Sequence, residues 1–193
     1  MSVDFYETNG QDYYQSTVYI DMNELYIPFL SRLPKGGHIL DAGCGSGRDS
    51  KAFLEQGYSV TAIDASMVMV ELSSRLIGQP TLHLKFQELR FDSAFDGIWA
   101  CASLLHVPLN QINGGMQRLT TALKVGGIFY MSFKLGDGVR MDGDRLFVDY
   151  NEDSLRRLLS HHQCLQLKRM WRTDDKKLGC LRDCWLNALA SKV

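Results

Sequence analysis

The chain has 193 residues, which suits a single domain at the usual ~100–200 residues per domain. Hydrophobic residues make up 45% and charged residues 22%, so a packed core is expected rather than disorder. A formal net charge of −1 with no run of Lys or Arg offers no phosphate track and argues against nucleic acid as the main substrate.

No apolar stretch reaches the length of a membrane span, and Ser2-Val3-Asp4-Phe5-Tyr6-Glu7 is too acidic for a signal peptide. Five cysteines form an odd set without framework spacing, as expected of reduced thiols. The expectation is a soluble cytoplasmic protein with no membrane partner.

Residues 4–33 read as helical, with Leu25, Phe29, Leu30 and Leu33 at helical spacing until Pro34-Lys35-Gly36-Gly37. Strand one is expected over 38–42, and a helix follows with Ala52, Phe53 and Leu54 inward and Gly57 at its end. A second strand ends at Asp64; Ser66 is placed to cap a helix over 67–77, closed by Gly78 and Pro80. Strand three is expected over 81–86 and strand four over Phe95 to Cys101. Pro108 starts a helix striped by Ile112, Met116, Leu119 and Leu123, and Gly126-Gly127 turns into strand five, Ile128 to Phe133. A glycine- and aspartate-rich loop is expected from Gly136 to Asp144, then a helix capped by Asn151, then strands over 164–172 and 180–190.

This order predicts an α/β fold: a Rossmann-like, doubly wound, mostly parallel seven-stranded sheet with an antiparallel edge strand, in three αβα layers. Residues 1–36 would form an N-terminal helical lid segment, and 37–193 the ligand-binding domain. Ligands in such sheets sit in the crevice at the strands' C-terminal ends.

The most informative segment is Ile39-Leu40-Asp41-Ala42-Gly43-Cys44-Gly45-Ser46-Gly47-Arg48, a buried strand breaking into a glycine turn and a helix. Asp64 ends the next strand, where a nucleoside-binding fold holds ribose hydroxyls on a carboxylate. A dinucleotide fingerprint wants Gly or Ala at position 48 for close helix packing; Arg48 stands there, which opposes NAD.

The pattern Asp-x-Gly-x-Gly-x-Gly instead resembles motif I of the class I S-adenosylmethionine (SAM) methyltransferases. Asp64-Ala65-Ser66-Met67-Val68-Met69, Phe95-Asp96-Gly97-Ile98-Trp99, Leu105-His106-Val107-Pro108 and Leu123-Lys124-Val125-Gly126-Gly127 resemble later motifs of that family in order and spacing. The resemblance spans about residues 38–133. Gly-Arg-Asp at 47–49 is similar to a subset of small bacterial members that includes the tellurite-resistance methyltransferases.

The resemblance implies SAM as cofactor, with S-adenosylhomocysteine (SAH) as product. Gly43, Gly45 and Gly47 would let the backbone approach the methionine and ribose parts. Asp41 would order the turn or hold the cofactor's ammonium through water, and Asp64 would take both ribose hydroxyls. Ala65 would pack on the adenine. Family members carry an Asp after strand three; here Phe86 can give an apolar wall and Gln87, or a backbone carbonyl, a hydrogen bond. Cys101 would back the methionine moiety. Arg48 would reach the methionine carboxylate or lie on the helix surface. Tyr13, Tyr14 and Thr17 would face the site from a lid, or mark a helix packed on the sheet edge.

Methyl transfer from a sulfonium needs a base only if the acceptor must lose a proton. His106, following strand four, is the candidate base, with loop ordering as its other reading. Lys134, Arg140, Arg145 and Tyr150 could grip an anionic acceptor or belong to a solvated loop. Cys180, Cys184, His161 and His162 match no standard zinc ligand set, so no metal is expected.

The expected activity is SAM-dependent methylation of a small-molecule acceptor: a metabolite, a thiol or an oxyanion. A non-catalytic SAM-binding sensor or partner subunit is the alternative, and an NAD-dependent oxidoreductase comes after it. Ala102-Ser103-Leu104-Leu105 lacks the Asn-Pro-Pro-Tyr type signature of base methylation. Oligomeric state is not legible.

Overall fold

A computed structural model describes residues 2–175 and 184–193. Helices α1 (Ser2–Thr17) and α2 (Asn23–Leu30) precede β1 (His38–Ala42), α3 (Arg48–Glu55), β2 (Ser59–Asp64), α4 (Met67–Ile77) and β3 (Leu82–His83). Then follow β4 (Phe95–Ala100), α5 (Leu109–Ala122), β5 (Leu123–Lys134), β6 (Gly138–Asp142), β7 (Arg145–Asp149), α6 (Glu152–Ser160), β8 (Leu165–Asp174) and β9 (Cys184–Lys192).

Seven strands form one sheet in the order β3-β2-β1-β4-β5-β9-β8. The first five run parallel; β9 enters antiparallel between β5 and β8. Alternation along the strands splits the core. Leu40, Ile98 and Phe129 face α5 and α6, whereas Ile39, Trp99 and Tyr130 face α2 and α3. That makes three layers. The neighbours of β1 lead away in opposite directions, so its C-terminal end opens a crevice between β2 and β4.

Local chemistry sets several boundaries where the sequence places them. Ser66 Oγ accepts the Met69 N–H at 3.2 Å and caps α4, which ends at Gly78 with φ +70°. Asn151 Oδ1 takes the Ser154 N–H at 2.9 Å and starts α6.

Four expectations change. The helical stretch over 4–33 breaks at 18–22 into α1 and α2. Strand three shrinks to two residues, and Phe86–Glu88 forms a tight 3-10 turn instead. Strand five starts at Leu123, which pairs with Phe95 before a register shift carries the ladder past Gly126. Finally, the expected loop from Gly136 to Asp144 is half of a hairpin. β6 pairs with β7 across a Gly143-Asp144 turn, and its five exposed residues leave no burial pattern to read in sequence. Of the strand expected over 180–190, residues from Cys184 onward are described; Cys180 lies outside the described residues.

Among the described residues no helix is long and apolar enough to cross a membrane, and no group of three or more His, Cys, Asp or Glu could hold a metal ion.

Candidate active site

The glycine turn sits at the crevice because β1 ends beside the loop after β4. Gly43 has φ +81°, and a Cβ there would stand 2.5 Å from Ser103 Cβ, so the turn lies directly on that loop. Ser103 Oγ donates to the Ala42 carbonyl at 2.7 Å, and Ser132 Oγ accepts the Ala102 N–H at 2.8 Å. Ala102, with φ +52°, is held in a conformation rare for a residue with a side chain. That strained residue lines the cavity and had no signal in the sequence.

Asp64 closes the turn from β2. Its carboxylate accepts the Gly45 N–H at 2.9 Å on one oxygen and the Ser66 N–H at 2.9 Å on the other. Burial pushes its pKa up, opposed by those backbone donors. A carboxylate has about four lone-pair sites, so both oxygens keep capacity toward the cavity they line.

Below the turn lies a buried charge network. Asp49 pairs with the Arg48 guanidinium at 2.6 Å and takes hydrogen bonds from Tyr26 Oη at 2.6 Å and Trp99 Nε1 at 2.7 Å. Although burial opposes ionisation, Arg48 and these donors hold its carboxyl below the usual carboxylate range. Arg48 is therefore an ion-paired cavity residue, not a helix-surface one, and it also donates to the Thr17 carbonyl at 3.4 Å. Asp49 was quoted only as part of a motif, yet it joins α2, α3 and β4.

Asp41 has the opposite fate. Burial and the Asp49 charge push its pKa up to about 8, and Ser50 Oγ donates to it at 2.6 Å. It lies under the turn without lining the cavity. Gly47 also stays off the cavity: a Cβ there would meet Ser73 Cβ at 2.9 Å, so this glycine serves the approach of α3 to α4.

A cavity of about 1020 Å³ opens above the turn. Gly45, Arg48, Asp64, Ala65, Phe86 and Gln87 line its near wall, with Cys101 behind. Gln87 Nε2 donates to Gln111 Oε1 at 3.1 Å. Burial pushes the Cys101 thiol up to about 12, so it presents a neutral S–H. Helix α1 covers this wall with Tyr13 and Thr17; Tyr14 does not line it. Met67 N–H, at the start of α4, donates to Glu7 at 2.6 Å, a carboxylate at a helix N-terminus. Helix α2 packs on the sheet instead, with Phe29 against Trp99.

The far wall comes from α1, the loop after β4 and the hairpin. His106 Nδ1 is 2.7 Å from the Leu146 carbonyl, and its Nε2 is 2.8 Å from Tyr6 Oη. Burial lowers the His106 pKa to about 4, leaving a neutral ring. The sequence does not single out Tyr6, because a partner 100 residues away gives no local signal. Lys134 and Arg145 line the cavity, but each holds a carboxylate: Lys134 pairs with Asp175 at 2.7 Å and Arg145 with Asp142 at 2.8 Å. Arg140 likewise pairs with Asp149 at 2.6 Å. Tyr150 leaves the candidate site, since it is a core residue packed on Phe133 at 4.6 Å.

A cavity this large, with a left-handed glycine beneath Tyr13 and a carboxylate with spare acceptor capacity, fits a nucleoside-sized ligand and leaves room beside it. This fold and site define a nucleotide-type binding protein of the doubly wound class. Residues 39–127 match the family model described as "Methyltransferase domain". The chain is 32% identical over 133 residues to the Bacillus subtilis (strain 168) protein YqeM, covering 63% of this chain and 52% of that one. A ubiquinone biosynthesis O-methyltransferase of Coxiella burnetii is 32% identical over 104 residues, covering 51% of this chain and 44% of the enzyme.

Among solved structures, the Burkholderia thailandensis 1,6-didemethyltoxoflavin-N1-methyltransferase, crystallised with 1,6-didemethyltoxoflavin and SAH, superposes with a TM-score of 0.76 at 25% identity, over 98% of this chain and 86% of that one. The chain has the fold of the class I SAM-dependent methyltransferases, and it matches the methyltransferase family model over residues 39–127. It spans about half the length of the relatives it matches by sequence.

Proposed function

We propose that this chain binds SAM and methylates a small-molecule acceptor. The observation that carries the reading is the continuity of one cavity of about 1020 Å³, with the glycine turn and Asp64 on one wall and His106 on the other. The acceptor is a small metabolite, in line with relatives named for 1,6-didemethyltoxoflavin and for ubiquinone biosynthesis.

When bound, SAM supplies an activated methyl on a sulfonium; the chain's residues bind, orient and exclude water. Asp64 grips the ribose hydroxyls with the lone pairs its backbone donors leave. Ala65 and Phe86 flank the adenine, and the exposed Gln87 lies at its rim. Arg48, oriented by Asp49, meets the methionine carboxylate, and the neutral Cys101 backs the methionine chain. Gly43 and Gly45, both lining the cavity, give the backbone its close approach, whereas Asp41 and Gly47 shape the turn from outside the ligand. Helix α1 acts as the lid through Tyr13 and Thr17, with residues 1–36 as the covering segment and 37–193 as the binding domain. His106, neutral near pH 7, is the base on the acceptor's side of the cavity. Lys134 and Arg145, both ion-paired, shape the acceptor's side of the cavity without offering an uncompensated charge.

Calorimetric titration with SAM and SAH, with NADH as control, tests the reading. Binding of both sulfur nucleosides and not of NADH is the expected result. A folded protein that binds neither would overturn it, and binding without turnover across an acceptor panel would favour a sensor or partner subunit.

A further inference from the structure

We propose that Tyr6 is a second catalytic residue: it takes the acceptor's proton and passes its own to His106, so the acceptor enters as a neutral O–H or N–H group and not as an oxyanion. This rests on the methyltransferase reading above and assigns the substrate class within it.

The hydrogen-bond directions are forced. A carbonyl oxygen only accepts, so the 2.7 Å contact with Leu146 puts the proton on His106 Nδ1. In the neutral ring Nε2 is then bare, and Tyr6 Oη, 2.8 Å away, must donate to it. With its hydrogen directed to the histidine, the Tyr6 oxygen has only lone pairs for its other neighbours; the Arg145 guanidinium is one donor to it and leaves a lone pair for the acceptor. A group in the cavity that meets this oxygen must therefore bring a proton. A neutral hydroxyl or ring N–H does; a carboxylate or a deprotonated oxyanion does not.

The surrounding charges suit a relay and not a standing tyrosinate. Burial, Tyr13 on the same helix and Asp64 at the end of β2 all raise the Tyr6 pKa, while Arg145 on β7 lowers it. The phenol stays protonated at rest, and the Arg145 cation favours negative character on its oxygen as a proton leaves. Arg145 is held there between rings, 4.5 Å from the Phe5 centroid and 5.1 Å from that of Phe147. Its charge also disfavours an imidazolium at His106, which speeds release of the proton to water once product forms. The far-wall cations Lys134, Arg140 and Arg145 have carboxylate partners, so an anionic acceptor on that wall finds no uncompensated charge among them.

The step balances. The acceptor's X–H proton moves to Tyr6 Oη as Tyr6's own proton moves to His106 Nε2. X bonds the methyl that the bound sulfonium supplies, and the electron pair of the broken S–C bond stays on sulfur. The imidazolium then returns its extra proton to solvent.

The test pairs a spectrum with an assay. In ¹⁵N NMR of the ligand-free protein near pH 7, His106 should show a protonated Nδ1 and a bare, hydrogen-bonded Nε2. Tyr6→Phe should move only the Nε2 signal toward its unbonded value. SAH release would then be followed with catechol and lumazine as neutral donors, and benzenesulfinate and benzoate as anions. Turnover of a neutral donor and of neither anion is expected. Tyr6→Phe should lower kcat about 100-fold with SAH affinity within threefold of wild type, and His106→Gln, a second route should the first variant misfold, should lose a similar factor.

A proton on Nε2, turnover confined to benzenesulfinate or benzoate, undiminished kcat in Tyr6→Phe, or no turnover of either neutral donor by a protein that binds SAH would each overturn the relay. Failure to bind SAH at all would sink the underlying methyltransferase reading instead.

Discussion

Gly45 and Asp64 meet across 19 residues through a backbone N–H, whereas Tyr6 and His106 meet across 100 through two side chains. The heart of the near wall is assembled by one strand–turn–helix unit and the strand beside it, and the donors that hold Asp64 there belong to the main chain. The far wall exists only when α1, the loop after β4 and the hairpin are docked together, with Leu146 accepting from His106 and donating to Ser2 Oγ at 3.0 Å. Local backbone geometry makes a binding wall that survives most side-chain changes. A wall of long-range side-chain pairs can be tuned to a new acceptor without disturbing the first.

The sharpest way to break this contrast is to remove the charge that supports the near wall. Asp49→Ala leaves the Arg48 guanidinium, and the Tyr26 and Trp99 donors, without their buried partner. Loss of one member of a buried pair is expected to cost about 3–5 kcal/mol, read by denaturant unfolding. A loss under about 1 kcal/mol would mean that water replaces the carboxylate and that the network is not structural.

Asp41 gives the same support a pH signature. Its folded pKa, about 8, lies above the unfolded ~3.9, so the folded state keeps a proton that the unfolded chain has lost between these values. Stability contributed by this group is therefore full below about pH 4 and falls as pH rises toward 8. Asp41→Asn should flatten that decline and raise the melting temperature at pH 8 while leaving it little changed at pH 4. An unchanged slope between pH 5 and 8 would place the proton elsewhere.

At the cavity surface the effect should move from stability to affinity. Asp64→Ala removes charge-assisted hydrogen bonds of about 1.5–3 kcal/mol, so SAH binding should weaken at least tenfold by calorimetry. Equal affinity would mean that the ribose is held by another group.

The same contrast explains what could be read from sequence. The glycine turn, Asp64, the Ser66 cap and the bounds of α4 are local: each partner lies within a few residues or at the end of an adjacent strand. The doubly wound, mostly parallel character of the sheet followed from strands alternating with helices. The hairpin was missed because β6 is exposed along its whole length, so no alternation distinguishes it from a polar loop. Tyr14 and Tyr150 look like Tyr6 and Tyr13 in sequence; only packing separates Tyr150 in the core and Tyr14 off the cavity from the rings that line it. Asp41 and Asp49 are both acidic residues near one turn, and their opposite pKa shifts depend on which of them Arg48 reaches.

The smallest effects should divide the glycines of the turn between fold and ligand. Gly47 has φ +81°, and a Cβ would stand 2.9 Å from Ser73 Cβ and 3.0 Å from its Cα, which cannot swing away. Gly47→Ala should therefore lower stability by about 1–3 kcal/mol and reduce SAH affinity only in proportion to unfolding. Gly45, at φ +53°, has as its nearest neighbour the Tyr13 ring edge at 3.5 Å, an ordinary contact. Gly45→Ala then bears only the left-handed backbone cost of about 1–2 kcal/mol, while its methyl enters space needed by the ligand. Its SAH affinity should fall further than its stability predicts. If Gly45→Ala binds SAH like wild type, the cofactor does not pass over this turn, and the near wall owes its glycines to packing alone.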